Sequence, residues 1–199
     1  MTSRIPSRIL LLDGHPDPSP DRFVHALAAA YREGAQAARH EVLTVRVADL
    51  EFPLLRTQQD YEKGEPADAV RHAQQAVDWA THVVILYPLW LGSMPALLKA
   101  LLEQTLRPGF AFSTEKLGRW PVKLQGGKSA RIVVTMGMPA LLYRWYFRAH
   151  SLRSLQRNIL HSIGFRRARA SIIGGVALLD RPAREKWLER MRALGRAAS

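Results

Sequence analysis

The run His82-Val83-Val84-Ile85-Leu86-Tyr87 holds six residues with no Asp, Glu, Lys or Arg. A short apolar run of this length, rich in β-branched residues, reads as a strand buried on both faces, as in a parallel sheet. It leads through a loop into Met94–Leu106, where Leu97, Leu98, Leu101, Leu102 and Leu106 recur at helical spacing. The same order repeats on either side. Upstream, Ile9–Leu12 is a strand, Phe23–Ala38 a helix rich in alanine, Glu41–Ala48 a strand and Ala67–Ala80 a helix. Downstream, Arg131–Thr135 is a strand, Leu141–Ile163 carries helical periodicity, Ala170–Val176 is a strand and Pro182–Ala198 a helix.

Five alternations of strand and helix predict a parallel sheet covered by helices on both faces. Five strands fit the flavodoxin-like doubly wound order. Gly109, Gly118, Pro121, Gly126 and Gly127 interrupt the rhythm, so a hairpin or ordered loop is expected at about 108–128. A length of 199 residues suits one domain. The absence of cysteine excludes thiolate zinc sites, iron–sulfur clusters, disulfides and cysteine nucleophiles. The first apolar run is too short for a signal-peptide core or a membrane span, and the default expectation is a soluble cytoplasmic protein.

Charge is unevenly placed. Residues 1–106 carry 10 Lys and Arg against 13 Asp and Glu, whereas residues 107–199 carry 19 against 4. Such a basic half suits an anionic partner, or an arginine-rich solvated surface with no partner at all. Nucleic acid is disfavoured, because the arginines are expected to lack interleaved exposed aromatics and a recognition fold.

In a doubly wound sheet, ligands bind outside the carboxyl ends of the strands. Three loops fall there. Gly14-His15-Pro16-Asp17-Pro18-Ser19-Pro20-Asp21-Arg22-Phe23 is stiffened by three prolines and enters a helix, whose first amides make an anion site. His15, Ser19 and Arg22 are candidate phosphate ligands; alternatively this is a plain turn with Ser19 or Asp21 as the cap. The second loop, Pro88-Leu89-Trp90-Leu91-Gly92-Ser93, puts apolar groups where polar ones are the rule. It reads as a flat wall for a planar aromatic ligand, or as a subunit contact. The third runs Thr135-Met136-Gly137-Met138-Pro139. If Leu141–Ile163 were one helix, Trp145, Ala149, Leu152, Ile159 and Ile163 would face the core, and Tyr143 and His150 would share the opposite face. A tyrosine and a histidine there could donate protons to a reducible ring, or be ordinary surface residues. The chain has no G-x-G-x-x-G, and Gly127-Lys128-Ser129 lacks both the first glycine and the preceding strand of a phosphate-binding loop.

Tyr87-Pro-Leu-Trp-Leu-Gly-Ser-Met-Pro-Ala-Leu-Leu-Lys99 with Pro108-Gly-Phe-Ala-Phe112 resembles the flavin-binding signature of the flavodoxin-like NAD(P)H:quinone oxidoreductases of the DT-diaphorase type. Gly14-His15-Pro16 and Asn158-Ile-Leu-His-Ser-Ile-Gly-Phe165 are similar to the same family. The resemblance implies a ping-pong enzyme that takes hydride from NAD(P)H onto a flavin and passes two electrons to a quinone-like acceptor. It implies flavin contacts at His15, Phe23, Pro88, Leu89, Trp90, Leu91, Gly92, Thr135 and Gly137, with Ser19 and Arg22 at the phosphate. It implies Tyr143 and His150 as active-site groups, no metal, and a homodimer. Because Arg22-Phe23-Val24 replaces Ser-Phe-Asn and Thr135-Met136-Gly137-Met138 replaces Thr-Thr-Gly-Gly, the contacts are expected to differ in detail. The long 108–128 segment resembles FAD-using members, with FMN the alternative. Arg144, Arg148, Arg153 and Arg157 favour NADPH as donor. The alternative role is a flavin-binding regulatory subunit on a membrane transporter, resting on anionic lipid.

Overall fold

The computed structural model describes residues 6–113 and 122–199. Strands β1 (Arg8–Asp13), β2 (Glu41–Arg46) and β3 (His82–Pro88) alternate with helices α1 (Phe23–Ala37), α2 (Gln58–Lys63) and α3 (Asp68–Trp79). Helix α4 (Ala96–Thr105) follows, then the short strands β4 (Phe112–Ser113) and β5 (Val122–Lys123). After β6 (Ser129–Thr135) come α5 (Ala140–Trp145), α6 (His150–Ser154), a π-helical turn at Leu155–His161, β7 (Arg167–Ile173) and α7 (Arg181–Ala197). The five long strands pair in parallel in the order β2-β1-β3-β6-β7. This is the flavodoxin-like doubly wound arrangement.

Alternation along the central strands divides the core. Leu10, Leu12, Val83, Ile85, Ile132 and Val134 meet α3, α4 and the 149–163 segment. Ile9, Leu11, Val84, Leu86 and Val133 meet α1 and α7. Helices α1 and α7 cross closely because both contribute a glycine: a Cβ on Gly34 would lie 2.0 Å from the Arg192 carbonyl oxygen, and one on Gly195 2.1 Å from that of Tyr31. Any side chain there would force the two helices apart.

Three elements differ from the sequence reading. Strand β7 starts three residues earlier than the apolar run, because its first half is an edge with exposed arginines alternating with half-buried alanines. Helix α2 buries no residue fully and carries no apolar face, Tyr61 alone being half-buried; the Thr57 side chain caps it by accepting from the Asp60 amide. The expected long helix at 141–163 is broken, since Arg148 and Ala149 are both left-handed (φ 51° and 48°) and separate α5 from α6. Within the expected insertion, β4 pairs antiparallel with β5, while the connection at 114–121 lies outside the described residues.

Candidate active site

The three carboxyl-edge loops meet. Pro88 pairs with Thr135 across β3 and β6, the Leu89 amide donates to the Thr135 carbonyl at 2.7 Å, and the Gly14 amide donates to the Leu86 carbonyl at 2.7 Å. The His15 and Trp90 rings stand edge to face at 5.8 Å, joining the first loop to the second.

The first loop is wired by groups that composition alone did not single out. Asp13, buried at the end of β1, accepts from the His15 amide with one oxygen and contacts His25 Nδ1 at 2.5 Å with the other. His25 Nε2 lies 2.9 Å from the Asp17 carbonyl oxygen. Both ring nitrogens of His25 therefore face oxygens, which fixes the ring between Asp13 and the Asp17 backbone. His15 is the opposite case. Its Nδ1 accepts from the Asp17 amide at 3.1 Å, so the ring proton sits on Nε2. Burial first, and the neighbouring His25 second, hold His15 below its ordinary value. The legible signal was spacing: Asp13 ends a strand, and His25 sits in the first turn of the next helix, facing back toward it.

Neither Ser19 nor Asp21 caps α1. Arg22 is the N-cap residue, no side chain bonds the first amides, and the first turn has no acid. The helix N-terminus is left open as an anion site. Arg22 is not a free ligand there, because Asp17 takes its Nε at 2.7 Å and a terminal nitrogen at 2.6 Å. Phe23 is a packing residue: its ring lies 5.1 Å below the Arg184 guanidinium of α7.

In the second loop, Trp90 and Ser93 exchange backbone hydrogen bonds at 2.9 Å around Leu91 and Gly92. Both central residues have positive φ, 45° and 78°, the requirement of a tight I′ turn. The Leu89 and Trp90 amides are thus spent within the protein, so any ligand contact these two residues make is through other atoms. The Leu91 and Gly92 amides have no partner among the described residues. A Cβ on Gly92 or on Gly137 would meet nothing within 4 Å. In the third loop, the Met136 amide donates to Ile173 and the Met138 and Met136 carbonyls accept from Gly175 and Val176, whereas the Gly137 and Met138 amides make no hydrogen bond among the described residues. Pro88 and Thr135 are buried and support these turns from below.

The broken helix rearranges the remaining candidates. Tyr143 is 2% exposed and faces the core, while His150 is exposed, so the two share no face. The Tyr143 hydroxyl accepts from the Leu152 amide at 3.2 Å and lies 2.8 Å from Ser151 Oγ. Trp145, expected in the core, is 80% exposed, and with Tyr146 and Phe147 it interleaves exposed aromatics with Arg144 and Arg148. That corrects the premise on which nucleic acid was disfavoured.

An open groove of about 540 Å³ lies elsewhere, between α2, α4 and Asn158–Ile163. Its polar rim is already partly paired, Lys99 with Glu103. The unspent amides are at the carboxyl edge, and they are the better measure of where a planar polar-edged ligand fits. Open space over two glycines, four free amides on adjacent turns, an exposed Trp90, a donor at His15 Nε2 and an uncapped helix together match a flavin ring with its phosphate. Among the described residues no cluster of His, Asp and Glu could hold a metal.

The arrangement defines a flavodoxin-like protein whose candidate site lies at the carboxyl edge of the sheet. Residues 7–194 match the family described as "Flavodoxin-like fold", and the chain belongs to it. It is 25% identical over 184 residues to an uncharacterized NAD(P)H oxidoreductase of Haemophilus influenzae, covering 90% of each chain. It spans about half the length of a ribosyldihydronicotinamide dehydrogenase [quinone] of Pongo abelii, matched at 32% identity over 117 residues, which are 56% of this chain and 49% of the relative. Its fold superimposes on the NAD(P)H:quinone oxidoreductase of Methanothermobacter marburgensis with a TM-score of 0.80, at 23% identity, covering 98% of this chain and 100% of the other. An FMN-dependent NADH-azoreductase of Bacillus anthracis, solved in complex with FMN, gives a TM-score of 0.73 at 15% identity, with 97% and 100% covered.

Proposed function

We propose that this protein is a flavin-dependent NAD(P)H oxidoreductase that reduces a quinone-like acceptor by a ping-pong mechanism. The observation that carries the reading is the pair of unspent turns, Leu91–Gly92 and Gly137–Met138, beside Trp90 and His15. The names of the Haemophilus and Methanothermobacter relatives agree with it. A bound flavin supplies the redox chemistry, accepting hydride from a nicotinamide and returning two electrons to the acceptor.

The chain's own residues bind, orient and balance charge. Trp90, 49% exposed, forms an apolar wall, and the adjacent turn offers its two amides as donors to a ligand's polar edge. Such preorganised donors stabilise negative charge that develops during reduction without reorganising. His15 Nε2 and the first amides of α1 would hold a phosphate, with Ser19 nearby; Arg22 reaches it only by leaving Asp17. His150 is the exposed candidate for proton delivery. Tyr143 is a positioning residue, holding the Ser151–Leu152 start of α6 and so the orientation of His150.

FMN is favoured by the Bacillus anthracis complex, FAD by the likeness of the 108–128 segment to FAD-using relatives. NADPH is the favoured donor, and the working unit a cytoplasmic homodimer. The test is the visible spectrum of freshly purified protein, identification of extracted flavin, and titration of stripped protein with FMN and FAD. A yellow protein bleached anaerobically by NADPH, with parallel lines in double-reciprocal plots, supports the reading. Colourless protein that takes up neither flavin overturns it.

A further inference from the structure

The segment Leu141–Arg148 is built against the ordinary rule that large apolar groups turn inward. Leu141, Leu142, Trp145, Tyr146 and Phe147 are all exposed, Trp145 and Tyr146 to 80% and 77%. Two consecutive left-handed residues, Arg148 and Ala149, close the segment and prevent α5 from running on into α6. Such strain persists where the surrounding structure enforces it and is common at functional sites. Leu178, 88% exposed, adds to the same edge, since the Gly175 and Val176 amides bond the Met138 and Met136 carbonyls just before α5.

Along the chain, the charge flanking Leu141–Phe147 has one sign. Arg144 and Arg148 are exposed within it, Arg153 and Arg157 follow on the next turns, and all four lack an acidic partner among the described residues. Between Glu115 and Asp180 the chain has no acidic residue. Tryptophan, tyrosine and leucine flanked by arginine match the interface of a bilayer, where amphipathic rings sit at headgroup level and arginines meet anionic lipid. Among the described residues no helix is long and apolar enough to cross a membrane, so the contact is peripheral.

We propose that the Leu141–Phe147 turn with Arg144 and Arg148 docks this protein on an anionic phospholipid surface. Single-stranded nucleic acid fits less well. A stacking platform presents parallel ring faces to successive bases, whereas Tyr146 and Phe147 are packed edge to face at 4.9 Å and the rest of the patch is leucine. The proposal stands independently of the redox reading.

The full-length protein is mixed with phosphatidylcholine vesicles with or without 30% phosphatidylglycerol, as a test composition, and sedimented at low and raised salt. Binding should require phosphatidylglycerol and weaken with salt. Trp145→Ala with Phe147→Ala should reduce the bound fraction at least several-fold, and Arg144→Gln with Arg148→Gln should remove the preference for anionic lipid. Should a double variant fold poorly, lipids brominated on their chains should quench wild-type fluorescence more than that of Trp145→Phe. No binding to anionic vesicles overturns the proposal, as does equal binding by the aromatic variant, which would leave charge alone at work. Tighter binding to an oligothymidylate than to vesicles, or a dimer that dissociates on aromatic substitution, would assign the patch to nucleic acid or to a second copy and overturn it equally.

Discussion

The two ends of one sheet contrast. At the amino edge, polar groups pair with the fold itself, except His82 Nε2, which is buried without a partner among the described residues. Lys128 donates to the Asp78 and Ala80 carbonyls at 2.8 Å, closing the end of α3. Arg131 donates to the Ser199 carbonyl at 2.9 Å, His40 Nδ1 accepts from the Ser7 amide, and His82 Nδ1 lies 2.7 Å from Ser129 Oγ. At the carboxyl edge, amides stand idle, the Leu91–Gly92 turn needs positive φ, and indole and phenyl rings face solvent. The strands between are common to both. The difference teaches that apolar pairing builds the sheet, while the site is made where chain direction leaves loops that need not satisfy themselves.

Three perturbations sharpen that contrast. The largest belongs to the closed edge. Burial, with Arg131 and His40 adding to it, lowers the His82 pKa to about 4. An unfolded His82 would bind its proton near 6.5, so the native state binds fewer protons between pH 6.5 and 4, and stability falls as pH falls through that window. The effect amounts to as much as about 3 kcal/mol. His82→Gln should flatten the difference in urea midpoint between pH 7 and pH 4.5; an unchanged pH dependence would show that His82 is not the group responsible.

Next comes the open edge. Gly92→Val places a β-branched residue in the left-handed region, at about 1–2 kcal/mol, and fills the space above the turn. Flavin affinity, read by fluorescence titration of stripped protein, should drop about tenfold or more, while the thermal unfolding midpoint of the flavin-free chain should fall by only about 2–8 °C. Equal affinity in the variant would remove the turn from the site. The smallest effect is at the junction. Tyr143→Phe leaves the Leu152 amide without its acceptor and should cost about 1–2 kcal/mol of unfolding free energy. Because Tyr143 acts through α6, the rate of reduction should track the loss of order at His150. A large rate loss with an unchanged urea midpoint would make Tyr143 a direct proton donor instead.

Much of the architecture was legible because its signals are local. Uninterrupted apolar runs marked β1, β3 and β6, and five alternations fixed the layers. Where a signal was mixed, boundaries slid. β7 begins among arginines, and α2 has no apolar face to announce it. Among the site residues, Trp90, Leu91, Gly92, Gly137 and His15 are placed at the carboxyl edge as their positions in the loops suggested. Asp13, His25 and Asp17 went unnoticed because their pairings are made across a loop and a helix turn. The Leu141–Ile163 reading failed because helical periodicity does not record a left-handed pair; at Arg148–Ala149 nothing in residue type forbids a continuous helix.

Local chemistry was enough to specify a doubly wound sheet, the edge at which a ligand enters and the apolar loop after β3, since burial on two faces and chain polarity leave few alternatives. Three-dimensional packing settled which amides stay unspent, that Tyr143 turns inward while Trp145 turns out, and that Asp17 restrains Arg22. Those outcomes depend on hydrogen bonds between residues that only folding makes neighbours, and on a backbone reversal whose strain the rest of the protein sustains.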